Sequence, residues 1–223
     1  MEDSFVFCQN MNITATDSPN LTQVTSFRQM FYLCSSLVGN PSFGNWNTSS
    51  VTTTYYMFGV ASQFNQPIGS WNVSNVTDMD FMFDEAHTFN QSLAEWNTSK
   101  VTTMEHMFHA ATSFNSDIGN WDVSKVTNMK EMFLWTPQFN QNLGNWNLTS
   151  LVNAENMLSD SGLNCQNYDS TLYGWKNNSH TPNSINFGTA APQVYTHPAA
   201  VAARNSLMNT KGWTITGDTH NPN

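Results

Sequence analysis

The residues of this chain most able to do chemistry are its six histidines and sixteen carboxylates. His106 and His109 stand three residues apart, which would place both imidazoles on one face of a helix, where such a pair can bind a transition metal. The carboxylates fall in no EF-hand and in no calcium-binding repeat motif. We therefore predict no metal site and no cofactor, with the His106–His109 pair as the alternative.

No residue pattern typical of an enzyme is present in the sequence. It contains no GxSxG nucleophile motif, no Cys–His arrangement and no glycine-rich phosphate loop. Cys8, Cys34 and Cys165 are far apart and form no CxxC pair, which disfavours both a zinc site and a disulfide framework. We predict no catalytic residues and a protein that is not an enzyme. The alternative is an active site in the C-terminal segment.

Composition and charge disfavour two classes of partner. Only 10% of the residues are charged, against about 25% in a typical globular domain, and the formal net charge is −9. A nucleic-acid binder needs clustered Lys and Arg, which this sequence lacks. No run of about 18 apolar residues occurs, so we expect no membrane span. The N-terminal MEDSFVFCQN has no signal-peptide pattern, so we expect a secreted form to have been trimmed.

Large side chains recur every 25 residues along most of the chain. A fixed interval is typical of repeat proteins, because each unit buries the same side chains against the next unit. We therefore predict that the recurring residues form the core. They are Trp46, Trp71, Trp96, Trp121, Trp146, Phe64, Phe89, Phe114, Phe139, Met82, Met107 and Met132.

Two patterns inside each repeat predict the elements that position these side chains. Ile68, Trp71 and Val73 follow the apolar-x-x-apolar-x-apolar pattern of a short strand, with Trp71 and Val73 facing inward. Apolar residues from Val76 to Ala86 recur at steps of three and four, which predicts a short helix capped at Thr77. The predicted fold class is α/β, a leucine-rich-repeat-like solenoid of about five 25-residue strand–turn–short-helix coils.

The predicted organisation has three parts within one continuous structural domain. Residues 1–35 form an N-terminal cap and a first degenerate repeat, and residues 36–160 form the repeat solenoid. Residues 161–223 form a C-terminal cap of helix, loop, helix and strand, in which Gly212 ends the second helix and Trp213 begins the strand.

The residues that flank each tryptophan form the candidate binding surface. They would face outward on the predicted strands, and repeat proteins commonly bind their partners on such an extended face. The alternative is a plain solvated face held together by asparagine ladders. The candidate ligand-binding residues are Ser70, Asn72, Glu95, Asn97, Asn120, Asp122, Asn145 and Asn147.

Two further polar columns follow the same period. The column of Thr52, Thr77, Thr102 and Thr127 resembles an ice-binding face, but helix capping explains it more simply. The column of Asn65, Asn90, Asn115 and Asn140 predicts a structural ladder of side-chain amides.

The repeat from Phe64 to Ala86 resembles those of the BspA-like leucine-rich repeat surface proteins. The shared pattern is F-N-Q-x-I-x-x-W-D-V-S-N-V-T-x-M-x-x-M-F, and the closing NYDSTLYGW and GWTIT resemble the C-terminal module found behind such repeats. The resemblance implies a secreted or surface-anchored protein with a role in adhesion.

We therefore expect a non-enzymatic recognition or adhesion module, located outside the cell or at its surface. Its partner would be a protein or glycan on another cell or in the matrix, with no nucleic acid involved. The alternative is a structural spacer of a larger surface protein, and ice binding is a third hypothesis.

Overall fold

The computed structural model describes residues 1–222 of the chain. A 3-10 helix spans Pro41–Asn45, and all other regular elements lie in the C-terminal quarter of the chain. They are α1 (Cys165–Asn177), β1 (Asn186–Thr189), β2 (Val194–Tyr195), α2 (Pro198–Asn209), β3 (Thr214–Thr216) and β4 (Thr219–His220). The strands form two separate two-stranded parallel sheets, β1 with β3 and β2 with β4.

The predicted fold class is wrong. An α/β leucine-rich-repeat-like solenoid of strand–turn–short-helix coils requires a strand and a helix in each of about five coils. Between residues 46 and 161 the structure has neither an α-helix nor a strand. The described part of the chain is mostly irregular, with two α-helices and four short strands in two small sheets.

Consecutive β-turns stand where the sequence predicted a helix. Phe81 (φ 59°) and Glu85 (φ 54°) adopt left-handed backbone conformations, which a right-handed helix cannot contain. The N–H groups of Met79 and Phe81 donate to the carbonyls of Thr103 and Glu105 in the next repeat, at 3.2 and 2.8 Å. Because a β-turn also brings residues three apart close together, it produces the same apolar spacing as one helical turn.

The predicted strand is also absent, and the repeats pair at another position. The N–H of Trp71 donates to the carbonyl of Ile68 at 3.1 Å, which closes a turn in place of a strand. Single parallel bridges instead join successive repeats at the residues where the helix was expected to begin. In chain order, these bridges connect Ser26, Thr53, Asp78, Thr103, Asn128, Asn153 and Asn186.

One hydrophobic core runs from Leu21 to Ile215, and the structure places all of the predicted core residues in it. The most exposed of them, Trp46, has only 7% of its surface accessible. Four of the five indole N–H groups, those of Trp71, Trp96, Trp121 and Trp146, donate to main-chain carbonyls inside the core. That of Trp96, for example, donates to the carbonyl of Ile68 at 3.1 Å. These four tryptophans therefore bury their apolar area without leaving the indole N–H unpaired.

The asparagine ladder is confirmed. The N–H of Asn90 donates to the side-chain oxygen of Asn65 at 3.0 Å, and the N–H of Asn115 donates to that of Asn90 at 2.9 Å. The threonine column does not cap helices, contrary to the prediction. The hydroxyl of Thr102, for instance, donates to the carbonyl of Thr77 in the preceding repeat at 3.0 Å. Both columns therefore hold neighbouring repeats together.

The helix α1 meets the last repeat with the same contacts that repeats make with each other. The indole N–H of Trp175 donates to the carbonyl of Leu143 at 2.8 Å, and the hydroxyl of Thr171 accepts the N–H of Leu143 at 3.0 Å. Gly174 lies so close to Gly144 that a side chain at either position would collide with backbone atoms. Both α-helices lie in residues 161–223, for which the sequence predicted a cap of helix, loop, helix and strand.

A buried ion pair joins α2 to the C-terminal residues. The guanidinium of Arg204 donates to both carboxylate oxygens of Asp218, at 2.7 and 2.6 Å, and the hydroxyl of Tyr168 donates to the same carboxylate at 2.8 Å. The side chain of Asp218 is fully shielded from solvent. The hydrogen bond to Asp218 raises the pKa of Arg204, and burial raises the pKa of Tyr168.

Within residues 1–222, neither helix is long and apolar enough to cross a membrane.

Candidate functional site

The predicted ligand-binding residues lie at the surface, but no strand presents them. Asn147 is half-buried and the other seven are exposed. The side chain of Asn72 accepts the N–H of Ser74 at 3.1 Å, and that of Asp122 accepts the N–H of Ser124 at 3.0 Å. Hydrogen bonds from Ser124 lower the pKa of Asp122. Both side chains stabilise local turns within their own repeats, whereas the alternative interpretation had asparagine ladders holding this surface together.

The consecutive turns form a different surface, along which aromatic rings follow one another. Neighbouring rings in this row have centroids 4.3 to 6.2 Å apart, and Phe81 stacks on Tyr56 at 4.3 Å and on His106 at 4.7 Å. We call this surface the turn face. Its rings, in order, are Phe7, Tyr32, Tyr56, Phe81, His106, His109 and Trp135.

The two ends of the turn face are the most accessible. Phe7 is 66% exposed and Trp135 is 57% exposed, whereas the rings between them are half-buried. Beside the row, the guanidinium of Arg28 lies 4.2 Å from the centre of the Tyr55 ring. Exposed aromatic side chains that form a continuous patch are typical of surfaces that bind proteins or sugars.

Two histidines and a carboxylate come together on the turn face. The Nδ1 atom of His109 lies 2.6 Å from Oδ1 of Asp84 in the preceding repeat, and Nε2 of His106 lies 3.1 Å from Oε2 of Glu131 in the next repeat. Possible ligand atoms of Asp84, His106 and His109 all lie within 4.8 Å of one another. Burial lowers the pKa of His106, so its imidazole favours the neutral form.

The sequence placed His106 and His109 on a helix, and that placement is wrong. They are the first and last residues of a β-turn, closed by the N–H of His109 donating to the carbonyl of His106 at 3.1 Å. The turn still brings their rings together, with centroids 5.0 Å apart. Sequence reasoning missed Asp84 and Trp135 as members of this surface. Aligning the repeats in columns provides a signal, because Asp84 and His109 occupy equivalent positions one period apart.

A cavity of about 320 Å³ in the C-terminal segment is lined in part by Asp169, Tyr173 and His197. The carboxylate of Asp169 accepts the N–H groups of Thr196 and His197, at 3.0 and 2.9 Å, together with the hydroxyl of Thr196. These bonds occupy the carboxylate in positioning the start of α2. The cavity therefore presents a weaker arrangement for chemistry than the turn face.

A family model described as "Mycoplasma protein of unknown function, DUF285" matches residues 1–101 and, a second time, residues 92–193. The chain belongs to the DUF285 family. The two successive matches agree with the repeats in the sequence, so this DUF285 chain is a repeat protein. No curated protein and no solved structure is significantly similar to it.

Near the turn face of this DUF285 chain, Asp80 is held in an environment that disfavours its charge. Its Oδ1 atom accepts the hydroxyl of Thr103 and the N–H of Glu105, the latter at 2.6 Å. Burial outweighs these hydrogen bonds and raises the pKa of Asp80 from 3.8 to about 6. Ionised Asp80 therefore costs stability in the folded DUF285 chain.

Replacing Asp80 with asparagine should stabilise the protein at pH 7 by about 1 kcal/mol, once the pKa shift is discounted for solvent screening. The amide keeps the acceptor oxygen and removes the charge. The folded protein takes up the Asp80 proton at a higher pH than the unfolded chain does. The free energy of unfolding of the wild type therefore rises as the pH falls from about 6 towards 3.8, and its difference from that of the Asp80→Asn variant should shrink. Urea denaturation at pH 7 and pH 4.5 measures this difference, and an unchanged difference would contradict the raised pKa of Asp80.

Proposed function

We propose that this DUF285 protein is a non-enzymatic recognition module that binds a protein or glycan partner through the turn face. The observation that carries this proposal is the continuous row of rings from Phe7 to Trp135. Rigid aromatic side chains offer a large contact area at a low cost in conformational entropy. Their faces also suit the apolar faces of sugar rings.

The charges around the row bear on the chemistry of the partner. Glu105 and Glu131 lie 3.9 and 3.1 Å from His106, Asp84 contacts His109, and Glu85 is exposed beside them. The chain as a whole carries a net charge of −9. Carboxylates around an aromatic patch favour a neutral or basic partner and disfavour polyanions.

The proposal also includes a more specific family assignment, to the BspA-like surface proteins. The repeats from Phe64 onward resemble those of the BspA-like surface proteins, for which adhesion is the expected role. On this basis we propose that the protein acts outside the cell or at its surface, where a partner on another cell or in the matrix can reach the turn face.

Replacing Trp135 with alanine should weaken partner binding at least about tenfold, because tryptophan is among the residues most often found as binding hot spots. The partner would be found with a glycan array and with pull-downs on purified host matrix proteins. Its affinity would then be measured by biolayer interferometry for the wild type and the variant.

Tyr173→Ala is the matched control, because Tyr173 is similarly exposed, at 52%, but lies on α1 outside the turn face. Its affinity should equal that of the wild type. Equal binding by the Trp135→Ala variant would reject the turn face as the contact surface. If the wild type binds nothing in the glycan array and in the pull-downs, the recognition function is rejected and the spacer hypothesis is favoured.

A further inference from the structure

We propose that Asp84, His106 and His109 form a site for one divalent transition-metal ion of the Zn²⁺ class. This inference is independent of the proposed partner binding, since it depends only on side chains of this chain and needs no second molecule. It also differs from the pair considered from the sequence, because a carboxylate from the preceding repeat supplies the third ligand.

The geometry needs little adjustment to receive an ion. Ligands of tetrahedral zinc lie about 2.0–2.2 Å from the metal, so their donor atoms lie about 3.3 Å from one another. The donor atoms of the three residues already lie within 4.8 Å of one another, and Asp84 and His109 are in direct contact. Side-chain rotations that move the donor atoms by about 1 Å would therefore place all three donors around one ion.

The donor set selects the class of metal. Two imidazoles and one carboxylate suit zinc, copper and nickel, whereas calcium and magnesium require oxygen ligands. Glu131, with Oε2 3.1 Å from Nε2 of His106, is placed to orient that imidazole from outside the ligand set.

The backbone holds the ligands in place before any ion arrives. The β-turn fixes His106 relative to His109, and the carbonyl of His109 accepts the N–H of Glu85 at 2.8 Å. The same bond brings the repeat that carries Asp84 against the repeat that carries the histidines. Phe81 stacks on the ring of His106, which further limits its movement. A site with fixed ligands loses less entropy when it binds an ion.

The three ligand side chains are accessible enough for an ion to enter the site from solvent. The side chains of Asp84, His106 and His109 are between 12 and 17% exposed. They are shielded enough to strengthen electrostatic attraction and still reachable from one side. The neighbouring carboxylates of Glu105 and Glu131 add negative potential at the same place.

The test is calorimetric titration of the full chain, without a purification tag, with Zn²⁺ and separately with Ca²⁺. We expect one Zn²⁺ per chain and no Ca²⁺ binding. His106→Gln, His109→Gln and Asp84→Asn should each weaken Zn²⁺ binding at least about tenfold, since even the loss of a residue that only supports a ligand costs this much. His180→Gln is the matched control, because His180 is an exposed histidine outside the cluster, and it should leave the affinity unchanged.

A second measurement uses the wild type alone and so does not depend on the folding of any variant. Co²⁺ in place of Zn²⁺ should give the intense visible absorption of a four-coordinate ion, and one equivalent of Zn²⁺ should abolish it. The proposal is overturned if the wild type binds no Zn²⁺, if the His106→Gln and His109→Gln variants bind it as tightly as the wild type, or if Co²⁺ gives only the weak bands of a six-coordinate ion.

Discussion

Replacing Trp96 with alanine should lower the free energy of unfolding by about 3–5 kcal/mol. The side chain is 97% buried, since only 3% of its surface is accessible, and its ring stacks on that of Trp121 with centroids 6.2 Å apart. The substitution removes this packing, leaves a cavity between two repeats and removes one of the two N–H groups that donate to the carbonyl of Ile68. Urea denaturation followed by far-ultraviolet circular dichroism measures the change.

Trp135→Ala is the control for this prediction, because the same residue type is exchanged at an exposed position. We expect it to change the free energy of unfolding by no more than about 0.5 kcal/mol. Comparable losses at the two positions would mean that burial does not govern the contribution of tryptophan to this fold.

Replacing Asp218 with alanine should destabilise the protein by about 3–5 kcal/mol, the usual cost of removing one partner of a buried ion pair. The guanidinium of Arg204 would lose its two carboxylate bonds, and the hydroxyl of Tyr168 would lose its acceptor. The loss of stability is therefore expected to come mainly from the buried charge of Arg204, which is left without a counter-ion. Thermal and urea denaturation at pH 7 measure the loss.

The double variant Arg204→Met, Asp218→Leu separates the lost charge pairing from lost packing. Replacing both charged partners by apolar side chains of similar size is often close to neutral. The double variant should therefore be clearly more stable than the Asp218→Ala protein. If it is as unstable or less stable, the ion pair contributes far more than its desolvation cost, and our reasoning about this contact is wrong.

The core was predictable from the sequence, whereas the backbone that carries it was not. The period of Trp71 and Met82 identifies buried positions because burial requires only an apolar side chain at a fixed interval. The spacing from Val76 to Ala86 suits both a helix and consecutive turns, and only the left-handed backbone of Phe81 and Glu85 decides between them. Neither is a glycine, so residue type gave no sign of that conformation.

The prediction that the threonines cap helices was wrong for a related reason. In the repeats, side chains that commonly cap helices form hydrogen bonds between neighbouring repeats. The hydroxyl of Thr53 donates to the carboxylate of Asp78 at 3.2 Å, and that of Thr103 donates to Asp80. Short polar side chains satisfy backbone groups at helix ends and in turns alike, so the sequence cannot tell the two uses apart.

The candidate site was predictable only in part. The three-residue spacing of His106 and His109 pointed to a pair of imidazoles, and the turn keeps them as close as a helix would. Asp84 and Trp135 join them through contacts between repeats, which depend on how neighbouring backbones are aligned. The helices α1 and α2 were found because their apolar spacing runs through whole segments, and Gly212, with φ 70°, follows the second of them.

The position of the C-terminal segment bears on how the protein behaves in concentrated solution. In each repeat, main-chain N–H groups such as those of Met79 and Phe81 donate outward to the following repeat, so the last repeat would offer the same donors to any chain that approached it. The C-terminal segment covers this surface, because the carbonyls of Phe187 in β1 and of Ala191 accept the N–H groups of Asn156 and Asp160 in the last repeat, at 2.9 and 2.6 Å. Removing residues 161–223 should therefore expose these donors and promote end-to-end association of chains, which gives this segment a role in preventing aggregation.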